Sequence, residues 1–466
     1  MTMWLPDLSD LPGPRYTAIA EAVRRDIGRG LLRAGDKLPT HRDLAWRLGV
    51  TTGTVTRAYR EAERLGLLVG EVGRGTYVRA GPTPSSLLQP MAVADTASPG
   101  LADRVVDLSR NEPASCPAAA EALSATMAAL SSESMLGELL TYQPTGGMLR
   151  HRQAAANWIT HMGAPASPET TLITGGSQHG LTIALMAFCR AGDVVLTEDL
   201  TYPGFRGLAA LLGLRLQGVA MDEHGLRPDA LDAACKTANA RLLYLMPSLQ
   251  NPTTASMPEH RRREIAAVAA RHDLLLLEDD VYGLLAADGT PPIAAIAPER
   301  TCYLTGMKVL GPGLRIGLLR VPPDRLQAVQ SALRATMWMA PPLVGEIAAR
   351  WMTDGTALAL SDWHRREAAA RAGLLSETFG DACRIGGYHA WLRLPEPWRA
   401  ADITAQAGEA GVVVLPAETF AAGKAQPPQA IRLCIGCPPD RASLSAGLAR
   451  LASLLDGKPH LDFASG

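Results

Sequence analysis

The chain has 466 residues, 47% apolar and 20% charged, with a formal net charge of −1. That is ordinary globular composition, long enough for about three domains, and it excludes a disordered or collagen-like chain. The start, MTMWLPDLSD, has neither a basic n-region nor an apolar h-region, and no apolar run is long enough to span a bilayer, so no secretory signal or membrane span is expected.

The first eighty residues are the basic part. Residues 15–79 hold 13 Lys/Arg against 7 Asp/Glu, a balance of +6, while residues 80–466 carry −5. A basic module on an acidic body points to a polyanion partner for the module alone. In RYTAIAEAVRRDIGRG, Ile19, Val23 and Ile27 are spaced four apart, which predicts an amphipathic helix ending at Gly28 or Gly30. LPTHRDLAWRLGV offers Thr40 as an N-cap and Gly49 as a turn. TTGTVTRAYREAERLG predicts a further helix with Val55, Tyr59 and Ala62 inward and a stop at Gly66, and LLVGEVGRGTYV alternates around a GRG tip. Two short helices around a glycine, then a two-stranded wing, read as a winged helix-turn-helix.

GDKLPTHRDLAWRLGV, TVTRAYREAERLGL and GRGTYV resemble the GntR-type winged helix-turn-helix, and the domain is expected over residues 10–79. The resemblance implies double-stranded DNA as partner, with the second helix of the turn in the major groove. It places Thr52, Thr54, Thr56 and Arg57 at or near the DNA, with Arg42 and Arg74 on phosphates or groove edges. Many relatives carry arginine where Thr52 stands, a departure that leaves the base preference open.

Residues 80–104, AGPTPSSLLQPMAVADTASPGLADR, read as a linker. Beyond them TLITGG, DVVLTE, ARLLYLMPS, HDLLLLEDD and TCYLTG are short apolar runs separated by helical stretches. They predict an α/β domain with a mostly parallel sheet, whose ligands lie beyond the carboxyl ends of the strands. The strand ends deliver Gly175–Gly176 and a helix start at Ser177 and Gln178, then Tyr202, Asn251, Asp279 with Tyr282, and Lys308 with Arg315. Arg432 follows far downstream. Lys308 is one of only five lysines, set in the tightly turned TGMKVLGPGLRIG. A lysine in such a setting loses solvation and can serve as an imine-forming amine. The remaining set suits a phosphorylated aromatic aldehyde. A helix start takes the phosphate, a carboxylate holds a ring nitrogen protonated, an amide and a tyrosine hold a ring hydroxyl, and an aromatic stacks. No metal-binding motif uses these residues. Seven cysteines are scattered as in a reducing cytosol, and the pair Cys434 and Cys437 reads as the end of a buried strand.

YQPTGG, GGSQ, TYPG, QNPT, EDDVY, TGMK with GLRIG, and IRL resemble, in this order, a fold-type I pyridoxal-phosphate protein of the aminotransferase class I kind, over residues 105–460. The resemblance implies pyridoxal 5'-phosphate as cofactor and a smaller C-terminal α+β subdomain. It makes Lys308 the catalytic, cofactor-tethering lysine and pairs Asp279 with the ring nitrogen. Asn251 and Tyr282 would meet the ring hydroxyl, Tyr202 would stack, and Gly176, Ser177, Gln178, Thr305 and Arg315 would take the phosphate. Tyr142 would reach the phosphate of a neighbouring subunit in a homodimer, and Arg432 would hold the carboxylate of an amino-compound ligand. Thr254 stands where the family has glycine and Met307 where it has serine.

The two-part organisation resembles the MocR family of bacterial regulators. It implies a cytoplasmic, pyridoxal-phosphate-dependent transcription factor that senses the cofactor, an amino compound, or both. An aminotransferase that carries a DNA-binding module, and a cofactor-free dimerisation scaffold, are the alternatives.

Overall fold

The computed structural model describes residues 4–8, 14–28, 31–32, 36–64, 67–71, 75–78, 105–286, 289–423 and 427–457. It divides into two compact units, Met1–Ser86 and Leu87–Gly466. The expected linker 80–104, Arg74 at the wing tip and the helix stop at Gly66 lie outside the described residues.

In the small unit, helices α1 (Arg15–Gly28), α2 (His41–Leu48) and α3 (Thr52–Arg64) precede the antiparallel strands β1 (Leu68–Glu71) and β2 (Gly75–Val78). Thr40 caps α2 by accepting from the Asp43 amide at 3.2 Å, and Gly49 closes it at φ +63°, a conformation that suits glycine. Ile19, Val23, Leu44, Val55, Tyr59 and Ala62 form the core on which the three helices meet. The spacing expected from sequence is the spacing that is buried.

The large unit is built on seven strands. In chain order they are β3 (Thr171–Thr174), β4 (Val194–Glu198), β5 (Arg215–Val219), β6 (Ala240–Leu245), β7 (Leu275–Asp279), β8 (Thr301–Gly306) and β9 (Gly317–Arg320). Their spatial order is β3-β9-β8-β7-β6-β4-β5. All neighbours run parallel except β9, which is antiparallel to both β8 and β3. The inner strands are buried on both faces, and alternate residues feed opposite cores: Leu243, Leu245 and Leu276 enter one, Leu242, Tyr244 and Leu277 the other. The helix α4 (Ser177–Phe188) leaves the sheet just after β3. Because β9 is reversed, residues 307–316 leave β8 and re-enter the sheet at the same end, closed at the base by Met307 N–H donating to Ile316 O at 2.9 Å.

A second, four-stranded antiparallel sheet gives the C-terminal subdomain. It contains β10 (Cys383–Gly386), β11 (His389–Arg393), β12 (Leu415–Pro416) and β13 (Ala430–Cys434), in the order β10-β11-β13-β12. The chain entry at Val106–Asp107 pairs in parallel with Val412–Val413, which brings residues 108–113 to the C-terminal subdomain. Among the described residues no helix is long and apolar enough to cross a membrane.

Candidate cofactor and effector site

The carboxyl ends of β3, β4, β6, β7 and β8 surround a cavity of about 480 Å³. Lys308, Asp279, Tyr282, Asn251, Tyr202, Gly176, Ser177, Gln178, Arg315 and Arg432 line it together. Sequence positions spanning 256 residues, from 176 to 432, thus meet at one place.

Lys308 lies two residues beyond β8. Its Nζ donates to Tyr282 Oη and sits 4.4 Å from the centre of that ring. Burial holds its ammonium below the ordinary lysine range, opposed by the nearby Tyr202 and Asp279. Asp279 ends β7 and is buried. Desolvation pushes its carboxyl up to about 6, against a hydrogen bond from Tyr244 Oη at 2.9 Å and the charge of Lys308. It therefore stays mostly ionised at neutral pH. Tyr244 was not singled out from sequence: in ARLLYL it resembles any core aromatic, and the signal is that a buried hydroxyl must find a partner.

On the opposite wall, Arg432 of β13 is buried and donates through Nη1 to Asn251 Oδ1 at 2.9 Å and through Nη2 to the Ser109 carbonyl. His389 of β11 donates from Nε2 to the Gln250 carbonyl at 3.0 Å, next to Asn251. Burial drives its pKa down to about 3, so the imidazole is neutral. Glu198, ending β4, accepts from Gln250 Nε2 at 3.1 Å and from the Met246 amide at 3.3 Å, with its carboxyl raised to about 8 by burial. Sequence reasoning passed over both residues.

The anion end is equally built. Gly176 adopts φ +84° before the first turn of α4, and a Cβ there would lie 3.0 Å from Arg315 Nη2. The free N–H groups of a helix start, faced by a guanidinium, fit a phosphate. Ser177 Oγ donates to the Thr305 carbonyl at 3.3 Å. Thr305 itself does not line the cavity; its hydroxyl donates to the Asp280 carbonyl at 3.2 Å. Tyr142 is 83% exposed beside Trp338, with ring centres 5.9 Å apart, and is not part of the cavity wall. Met307 is buried and lines the cavity, while Thr254 takes the left-handed φ of +62° that its glycine counterpart would favour. Cys434 is buried at the end of β13, and Cys437 Sγ accepts from Arg110 Nη2 at 3.1 Å.

Residues 15–78 match the family of bacterial regulatory proteins known as gntR, and residues 103–451 match aminotransferase class I and II. The HTH-type transcriptional regulator YdeF of Bacillus subtilis (strain 168) is 29% identical over 457 residues, 97% of each chain. The HTH-type pyridoxine biosynthesis transcriptional regulator PdxR of Corynebacterium glutamicum is 30% identical over 393 residues, 82% of this chain and 83% of the relative. The chain belongs to the MocR family of transcriptional regulators. Among solved structures, the α-aminoadipate aminotransferase LysN of Thermus thermophilus, complexed with N-(5'-phosphopyridoxyl)-L-leucine, superposes with a TM-score of 0.67 at 28% identity, over 77% of this chain and 93% of that one.

The cofactor of this MocR domain is pyridoxal 5'-phosphate, and the cavity fits it: an anion cradle at one end, a buried carboxylate and a buried lysine at the other. DNA is the partner of its gntR-type module. There Arg42, Thr52 and Arg57 are exposed and Thr54 and Thr56 half-buried. Thr54 shares a hydrogen bond with Thr51 at 2.9 Å, Thr56 with His41 Nδ1 at 3.2 Å, and the Arg57 guanidinium lies 3.9 Å over the Tyr16 ring.

Proposed function

We propose that this regulator responds to an amino compound bound beside its cofactor, acting as a cytoplasmic homodimer. The reading rests on the convergence of Lys308, Asp279, Asn251 and Arg432 around one cavity. When bound, the cofactor supplies an aldehyde that ties to an amine and a ring that accepts electrons. Lys308 offers a buried amine with lowered proton affinity. Asp279, oriented by Tyr244, holds a proton at the ring nitrogen. Asn251 and Tyr282 would face the ring hydroxyl, Tyr202 would stack, and Gly176, Ser177, Gln178 and Arg315, with Thr305 behind them, would hold the phosphate. Arg432 pairs with a ligand carboxylate, and Tyr142 from the neighbouring subunit completes the phosphate site.

With the cofactor bound, an effector amine would compete with Lys308 for the aldehyde, and Tyr282, which accepts from Lys308 Nζ here, would hold the freed amine. A coupling of about 1–3 kcal/mol between that event and the DNA module changes operator affinity 5- to 150-fold. In that module Arg42 and Arg74 anchor the phosphates while Thr52, Thr54, Thr56 and Arg57 lie at or near the bases.

The test is the visible spectrum of the purified protein before and after borohydride, with Lys308→Ala beside it. A band that reduction removes and the variant lacks supports the reading. DNA binding is then measured with and without amino compounds. Operator affinity indifferent to every compound that alters the spectrum would overturn it.

A further inference from the structure

Residues 109–113, Ser-Arg-Asn-Glu-Pro, form one wall of the cavity. That wall is rigidly knitted to the segment around β13. Arg432 donates to the Ser109 carbonyl, and the Cys434 amide donates to the Leu108 carbonyl at 2.7 Å. Arg110 donates to Cys437 Sγ at 3.1 Å. Gly436 lies so close that a Cβ there would collide with the Glu112 carbonyl oxygen. Arg110 is committed: besides Cys437 it holds Asp107 at 2.9 Å and Glu112 at 3.4 Å.

Asn111 differs from the rest of this wall. It lines the cavity, and both polar atoms of its side chain, Oδ1 and Nδ2, are buried with no hydrogen-bond partner among the described residues. A buried amide left unsatisfied is costly, and native structures pair such groups or use them. The backbone on either side of Asn111 is held by these contacts, so its Cα keeps its place on the cavity wall. In the proposed reading of the cavity the cofactor's contacts fall to Lys308, Asp279, Asn251, Tyr282, Tyr202, the α4 start and Arg315, and none of them to Asn111.

We propose that Asn111 is an effector-reading residue, and that the effector is an amino acid with a hydrogen-bonding side chain. This rests on the reading of the cavity as an effector site and adds the ligand class. Arg432 takes the carboxylate. The Asn111 amide, which donates from Nδ2 and accepts at Oδ1, meets a hydroxyl or carboxamide that an aliphatic side chain lacks. A site built around such a pair discriminates more sharply than an apolar pocket, because the wrong ligand leaves the amide unpaired.

The experiment titrates full-length, pyridoxal-phosphate-loaded protein with near-isosteric pairs, L-threonine against L-valine and L-asparagine against L-leucine, reading the cofactor absorption. Wild type is expected to respond to the polar member of a pair at concentrations lower by on the order of tenfold. Asn111→Ala should bring the two members within about twofold, with its cofactor content checked as a control for folding, and Asn111→Asp should weaken both by repelling the carboxylate. Preference for the aliphatic member, or undiminished discrimination in Asn111→Ala, overturns the proposal while leaving the effector site standing. If none of the four amino acids alters the wild-type spectrum, this ligand class is overturned, while the broader amino-compound reading stands or falls on the DNA-binding test above.

Discussion

Arg432 Nη1 donates to Asn251 Oδ1 at 2.9 Å, joining residues 181 positions apart in sequence. One belongs to the C-terminal sheet and the other to the segment after β6, so the arginine proposed to bind a ligand carboxylate and the amide proposed to face the cofactor share a single hydrogen bond. Arg432→Met keeps an apolar stem but leaves Asn251 Oδ1 and the Ser109 carbonyl without their donor. The expected outcome is a loss of about 2–4 kcal/mol in unfolding free energy, read by urea denaturation, with the ligand response weakened at least about tenfold. Arg432→Lys should not restore the response, since one ammonium cannot span both acceptors and a ligand carboxylate.

The buried carboxyls predict how stability depends on pH. Burial raises Glu198 to about 8, Glu278 to about 7 and Asp279 to about 6. Each binds its proton more tightly folded than unfolded, so their joint contribution to stability falls as pH rises from the ordinary carboxylate range towards 8. Glu198→Gln keeps the acceptor for Gln250 and Met246 and removes the charge. Relative to wild type it should gain on the order of 3 kcal/mol as pH rises from 5 to 8, the gap closing again towards pH 5. Unfolding midpoints of the cofactor-free protein across that range are the measurement, and a pH-independent gap would contradict the assignment.

Thr254 holds φ +62°, and Gly386 makes room for it: a Cβ on Gly386 would lie 3.0 Å from Thr254 Cβ and 2.9 Å from a Leu249 methyl. Left-handed backbone costs a non-glycine residue roughly 1–2 kcal/mol. Gly386→Ala should destabilise by about 1–3 kcal/mol through overpacking. Thr254→Gly should recover part of that loss. A double-mutant cycle by thermal unfolding tests the coupling, and purely additive effects would show that the two positions do not feel each other.

In the DNA module the exposed residues divide by what they reach. Arg42→Ala should weaken binding to all sequences alike and lower the salt slope by about 1. Thr52→Ala or Thr52→Arg should instead change which bases are preferred, with little effect on the slope. Binding assays on a randomised operator pool at two salt concentrations separate these outcomes.

Much of this architecture could be read from the chain because each strand announces itself as an apolar run and then hands over a chemically distinctive residue at its end. TLITGG, LLLLEDD and TCYLTG correspond to β3, β7 and β8, and the residues that follow them line the cavity. The helix-turn-helix was readable for a local reason: Thr40 and Gly49 are cap residues whose side chain and φ do their work within one turn. What escaped the sequence depends on contacts between distant segments. Tyr244, Glu198, His389 and Asn111 look like ordinary residues of buried strands and loops, and their meaning appears only when Asp279, Gln250 and Ser109 are beside them. The reversal of β9 was equally silent, since GLLR would be buried in either direction.

That reversal has a mechanical consequence. The turn bearing Lys308 and Arg315 is not a loop hanging from one strand. It is a staple driven into two adjacent strands, the second and third from one edge of the sheet, pinned at its base by Met307 and Ile316. Lys308 and Arg315, to which our proposal assigns the cofactor's aldehyde and its phosphate, are thus two prongs of one part. Displacement of either prong is therefore passed to the other along residues 307–316 and into β8 and β9 together.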